Sequence, residues 1–232
     1  MTSQQRAVRT RADLLAGAAT EFARHGYVAS SINRILDHTT CTKGSMYFHF
    51  ASKREMAEAV LDTAAALYAA IAERWSTADG IDPLDAIRAM VDDAAQAFTE
   101  EVSLRAEARL SAEPEFSARR PFAAWDAAVS VLAGRAAESS WFREGFTAEK
   151  FVRVLAAPLA GHRLLAHIAL TGVAVSIRSG YRESLETVLA AATTANAGAA
   201  EVSADTAVLT FETIDVAASV RRATPNVRPA QV

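Results

Sequence analysis

S-S-I-N-R-I-L-D-H-T-T-C-T-K-G-S-M-Y-F-H-F, from Ser30 to Phe50, reads as two short helices around a tight turn. Ser31 is placed to cap the first, whose Ile32, Ile35 and Leu36 share an inward face. Thr42 is placed to cap the second, which opens on Lys43 and Gly44 and closes on Tyr47, Phe48, His49 and Phe50. Inserting a short helix into a DNA major groove needs this kind of unit. Gly44 leaves room for close approach to a backbone, and Lys43 carries a flexible cation for a phosphate or a guanine edge. Thr42 and Ser45 supply hydroxyls for phosphates at a helix N-terminus. Tyr47, His49 and, just beyond, Lys53 complete the set of candidate DNA contacts. Phe48 and Phe50 are expected beneath, against Phe22 and Ile35.

Working outward, the charge is uneven. Residues 1–55 carry eight Lys and Arg against four Asp and Glu, a surplus of +4 in a chain whose net charge is −3. The rest of the chain is therefore at −7, and a basic head on an acidic body suits a polyanionic partner at one end. Leu14, Leu15, Ala18, Ala19, Phe22 and Ala23 fall at helical spacing, giving a first helix over about Val8 to His25 that Gly26 stops. Ser52 and Glu55 form a capping box for a helix that runs to about Trp75, some 35 Å long at 1.5 Å per residue. Asp82 and Pro83 open another, to about Glu100. Further helices are expected at about 104–112, 121–139, 147–170 and 181–194, with Pro158 kinking or splitting the third of these. No alternating strand pattern of useful length precedes residue 200, so the fold class is all-α. The organisation expected is a helix-turn-helix head over residues 1–51, a helical regulatory and dimerisation domain over 52–198, and a C-terminal tail over 199–232.

Several functions are argued against. No run of about 18 uncharged apolar residues appears, so no membrane span is expected. The N-terminal segment has no signal-peptide core, and one cysteine, Cys41, rules out an internal disulfide, so a cytoplasmic address is expected. There is no H-E-x-x-H, phosphate-binding loop, G-x-S-x-G or nucleophile–base pattern, so no catalytic residue, no metal site and no cofactor is assigned. His162 and His167 are five apart, about 140° around a helix, and do not form a metal pair. Cys41 reads as a small buried residue or, less simply, a redox sensor.

The head resembles that of the TetR family of one-component transcriptional regulators. The family's motif, approximately T-K-G-x-x-Y-x-H-F, is met by Thr42, Lys43, Gly44, Tyr47, His49 and Phe50, and its first-helix ending by Phe22, Gly26 and Tyr27. The resemblance implies that the motif residues, with Lys53, touch a double-stranded operator. One position departs: the turn usually carries Ala-Gly and here has Thr39-Thr40. Either the turn is distorted or it does not need positive φ. In the body, L-R-A-E-A-R-L from Leu104 and R-P-F-A-A-W ending at Trp125 resemble the γ-butyrolactone-receptor branch, in which the tryptophan lines the ligand pocket. On this reading Trp125 offers an apolar wall and one N–H, with Met90, Phe98, Leu110 and Val129 as neighbours; each is also a plain core candidate. The resemblance implies a homodimer through the last two helices, by Phe151, Leu155, Leu159, Leu185, Val188 and Leu189, with His162 beside Gly161 as a further contact. The function expected is a dimeric repressor released from a palindromic operator by a small-molecule effector such as a γ-butyrolactone. The alternatives are a regulator of the same type answering an antibiotic or biosynthetic intermediate, and a non-switching DNA-binding protein.

Overall fold

The computed structural model describes residues 2–167 and 176–194. Its helices are α1 (Ser3–His25), α2 (Ile32–Asp37), α3 (Lys43–His49), α4 (Lys53–Ser76), α5 (Pro83–Glu100), α6 (Val102–Leu110), α7 (Ala123–Glu138), α8 (Ala148–Leu165) and α9 (Ile177–Ala192). The described residues form no sheet, only one isolated bridge between Phe142 and Thr193. The tail 199–232 and the expected end of α8 near Leu170 lie outside the described residues.

Local chemistry sets most of the boundaries. Ser31, Thr42, Ser52, Asp82 and Thr147 each accept a backbone N–H of the first helical turn, as their positions in the sequence predict. α1 begins earlier than its apolar spacing suggests. Thr2 accepts from Gln5 N while the Gln5 side chain accepts from Thr2 N, a capping box that adds more than a turn of polar helix. Pro158 sits inside α8 without splitting it. The carbonyl it leaves without a donor belongs to Val154, on the exposed side, where water can serve it.

Two cores are built. The head core joins Leu14, Phe22, Ile35, Met46 and Phe50 to Met56, Val60 and Leu61 at the start of α4. It also takes Ala106 and Leu110 of α6 and Phe116 beyond it. The body core is made by α4, α5, α7, α8 and α9 around Tyr68, Ile87, Met90, Val129, Leu132, Phe151 and Leu185. α6 is therefore shared between the two: it packs along α1 on one side and turns Glu107 toward α8 on the other. Polar ties fix it there. Arg109 donates to Arg24 O at 2.9 Å, and Tyr27 N donates to Glu113 Oε1 at 3.2 Å.

The α2–α3 turn is not strained. Among the described non-glycine residues only Ser140 has positive φ, so Thr39 and Thr40 take ordinary backbone angles and the turn has no need of a glycine. Its anchoring is done by side chains instead. Thr40 donates through both N and Oγ1 to Asp13 Oδ2, at 3.1 and 2.8 Å, and Thr39 Oγ1 accepts from Cys41 N. The Thr40 bonds lower the Asp13 carboxyl below the usual carboxylate range, which favours the ionised acceptor. The glycine of the contact is on the other partner. A Cβ on Gly17 of α1 would overlap Thr39 Cγ2 and meet Ile35 O at 3.0 Å. Gly17→Ala is expected to cost about 1–3 kcal/mol by overpacking. Adding Thr39→Ser, which removes only the methyl, should recover most of that loss in urea unfolding. Additive losses in the double variant would show that the methyl is not the obstacle.

Candidate nucleic-acid interface and buried cavity

α3 is held by its buried side. Met46 is fully buried in the head core and Phe50, extended at the helix end, fills the space beside it. With about 100° per residue, Lys43, Tyr47, Gly44 and Phe48 then fall in sequence on one outward arc. All four are exposed. Tyr47 is 50% exposed and Phe48 82%. The expectation that Phe48 packs beneath the helix is corrected here: Phe50 alone takes that place, and Phe48 projects into solvent. The helical period puts positions 46 and 50 on one side, and 48 lies roughly opposite.

The remaining candidates are less free. Thr42 Oγ1 accepts from Ser45 N at 3.1 Å, so Thr42 serves first as the helix cap. His49 is half-buried with its ring edge-on to Phe48, centroids 5.1 Å apart. Burial, then Arg11, pushes its pKa below the ordinary imidazole range and favours the neutral ring. Lys53 differs from its expected role. Its ammonium donates to Tyr27 O and Ser30 O, both at 2.8 Å, and lies 4.2 Å from the centre of the Tyr27 ring. In this arrangement it ties the α1–α2 loop to α4 instead of reaching outward. Arg6 and Arg9 of α1 are exposed and extend the basic end, whereas Arg11 lies over Phe50 at 4.9 Å. Cys41 is half-buried with its thiol 3.5 Å from Asp13 Oδ2; burial and that carboxylate raise its pKa, which disfavours the reactive thiolate.

A cavity of about 200 Å³ lies in the body among α5, α7, α8 and α9. Trp125, Phe122, Asp126, Leu159, Arg163 and Tyr181 are in its wall. Trp125 was expected in such a site; its four expected neighbours are not in this wall. Met90 and Val129 lie in the body core, Leu110 in the head core. Phe98 lines a separate hollow, of about 340 Å³, between α1 and the ends of α6 and α8. Helical period shows that these residues turn inward but does not say toward which neighbour. Arg163 had no signal in the sequence. It binds Glu107, 56 residues away, and stacks 3.8 Å over the Phe122 ring. Glu107 is fully buried and also accepts from Ser111 at 2.7 Å. Burial raises its pKa above the usual carboxylate range, and Arg163 and Ser111 work in the opposite direction.

The expected dimer residues have other partners within the chain. Phe151, Leu155, Leu185, Val188 and Leu189 are buried in the body core, and Leu159 is buried against the cavity. His162 donates to or accepts from Ser184 Oγ at 3.0 Å, and its ring fills the space that a Cβ on Gly180 would need, 2.5 Å away. It is thus a contact between α8 and α9 of one chain. The apolar residues α8 leaves outside are Val154, Leu164 and Leu165. Among the described residues no cluster of His, Cys, Asp and Glu is arranged to hold a metal ion, and no helix is long and apolar enough to cross a membrane.

Residues 14–60, from the middle of α1 into α4, match the family described as bacterial regulatory proteins, tetR family. Over those residues the chain is similar to the TetR family. The TetR-type head is similar to curated relatives, among them the A-factor receptor protein of Streptomyces griseus, 34% identical over 137 residues. That alignment covers 57% of this chain and 46% of the relative, so the chain matches under half of that protein's length. A solved structure described as the molecular basis for control of antibiotic production by bacterial hormones superposes with a TM-score of 0.66 at 28% identity, covering 80% of this chain and 98% of the other. A γ-butyrolactone receptor described as ArpA-like superposes at 0.63 and 25% identity, over 80% and 99% of the two chains. The TetR-type architecture, head and helical body together, is therefore shared well beyond the matched segment.

Proposed function

We propose that this protein is a transcriptional repressor of the TetR family that binds a palindromic operator as a homodimer and is released by a small molecule. The carrying observation is a firmly seated outward arc, Lys43, Gly44, Tyr47 and Phe48, at the basic end of a chain whose body also carries a partly open cavity. An arc of this size fits one major groove, and two heads related by a dyad would read half-sites one or more helical turns, roughly 34 Å each, apart. The likeness to butyrolactone receptors supports a γ-butyrolactone or a compound of similar size as the effector. For the dimer contact, the exposed side of α8, with Val154, Leu164 and Leu165, replaces the buried residues that the sequence pointed to.

The test is a band-shift on the DNA upstream of the chain's own coding sequence, with and without a panel of lactones and related metabolites. A discrete complex with a palindrome, dispersed by one compound, is expected. Equal affinity for random duplexes would discard the repressor reading. Val154→Arg with Leu164→Arg is expected to give a monomer in size exclusion and to weaken the operator complex at least tenfold; an unchanged dimer would place the interface elsewhere.

A further inference from the structure

The second hollow, of about 340 Å³, lies where the head meets the body. Thr20 and Arg24 of α1 line one side, and Phe98, Arg105 and His167 of the body line the other. Two guanidiniums are in this wall and no acid is. Arginines elsewhere in the fold, Arg74, Arg88, Arg163 and Arg182 among them, are each paired with a carboxylate. Neither Arg24 nor Arg105 is paired with a described acid. Arg105 gives one nitrogen to the last carbonyls of α5, Phe98 O at 3.1 Å and Thr99 O at 2.6 Å. A helix end carries only about half an elementary charge, so this offsets Arg105 in part.

His167 lies in that positive field. Burial, then Arg109, pushes its pKa below the ordinary imidazole range; Arg163 and Arg105 act the same way and a backbone hydrogen bond at Arg105 opposes them. Its Nε2 is buried and has no hydrogen-bond partner among the described residues. Such an atom is costly to leave without a partner. An anion in the hollow offsets both guanidinium charges and supplies an acceptor for the tautomer with its proton on Nε2. A cation would add repulsion, and an uncharged molecule would leave the charges as they are. The rest of the wall is apolar: Ala23, Val102, Ala166 and the Phe98 ring, whose centre is 6.3 Å from that of His167. The volume falls within the range of small-molecule pockets, roughly 300–1,000 Å³, and is more than an inorganic ion fills.

We propose that this hollow is a second small-molecule site, for an organic anion whose charged oxygens are held between Arg24 and Arg105 and whose apolar part lies against Phe98. The site is separate from the cavity beside Trp125 and goes beyond the effector reading given above. Arg24 belongs to α1 and Arg105 to α6. A bound anion therefore adds a charged tie between head and body to those already made by Arg109 and Glu113.

The experiment is isothermal titration calorimetry of the full chain at physiological ionic strength, with benzoate, phenyl phosphate and uncharged benzamide as probes. At least one of the two anions is expected to bind about tenfold or more tighter than benzamide, and the tighter one identifies the head group as carboxylate or phosphate. Arg24→Gln, at an exposed position, should weaken that anion about tenfold and leave benzamide unchanged. Arg105→Gln should do the same. Because it also releases two α5 carbonyls, its urea unfolding is measured alongside, and Arg24→Gln alone decides if that variant is destabilised. Arg9→Gln makes the same charge change on α1, about 22 Å along the helix, and should leave binding as it was. Benzamide binding as tightly as the anions, no saturable binding of either anion, unchanged affinity in Arg24→Gln, or an equal loss in Arg9→Gln overturns the proposal.

Discussion

Glu107→Ala is expected to lower the free energy of unfolding by about 3–5 kcal/mol, because it leaves the Arg163 guanidinium buried without its counter-charge. Arg163→Ala should cost a similar amount for the reciprocal reason. The pair as a whole is a different matter. Glu107→Leu combined with Arg163→Met removes both charges and keeps the volume filled, and is expected to be within about 1 kcal/mol of the unmodified protein or more stable than it. Urea unfolding of the three variants decides this. A double variant as unstable as the sum of the singles would show that the pair is intrinsically stabilising. Near-neutrality would leave its persistence to be explained by function, which is where the shared position of α6 between head and cavity directs attention.

Phe48→Ala should cut operator affinity by about 1–3 kcal/mol, concentrated at one base pair. The side chain is 82% exposed on the arc that also carries Lys43 and Tyr47. If that arc meets DNA as proposed, a large aromatic held in water on it has the thymine methyl as its natural apolar partner. The control is in the DNA: replacing each operator thymine in turn by uracil removes only the methyl. At the contacted position the unmodified protein should lose as much on uracil as Phe48→Ala loses on thymine, and the two changes together should lose no more than either alone. A loss spread evenly over all positions, or no loss, would remove the contact. Lys43→Ala makes a useful contrast, since a phosphate contact should weaken all sequences alike, by about tenfold, and lower the salt slope by about one.

Much of the head could be read from the chain because its signals are local. A serine, threonine or aspartate ahead of an apolar periodicity fixes a helix start wherever the helix later packs, and five such caps lie where the residues place them. Thr2 was missed because its helix opens with polar residues and has no periodicity to announce it. At Thr39-Thr40 the sequence leaves open a distorted turn or one without positive φ, and the structure has the second. The glycine that makes room for it is Gly17, in another helix, and the contact is visible only once α1 crosses α2.

The body was less legible. Leu155, Leu159 and Leu185 show by spacing that α8 and α9 have apolar faces, yet the same spacing serves a core or a dimer equally well; in the structure they are core. Trp125 could be singled out, but the donors and acids around it could not. Arg163 and Asp126 are 37 positions apart, and Glu107 comes from a third helix.

What the sequence determined by itself was the all-α class, the helix-turn-helix head with its Lys43-to-Tyr47 surface, and the basic-to-acidic polarity of the chain. Caps, period and charge act over a few residues or by simple addition, so no partner is needed to read them. The tertiary structure alone decided that Phe48 faces out while Phe50 faces in, that Lys53 is turned onto its own loop, and that one buried ion pair joins the cavity to the helix seating the head. Each of these depends on which surfaces meet when the helices close on one another. Burial, and with it the cost of an unpaired charge or donor, belongs to the packed assembly and to no single segment.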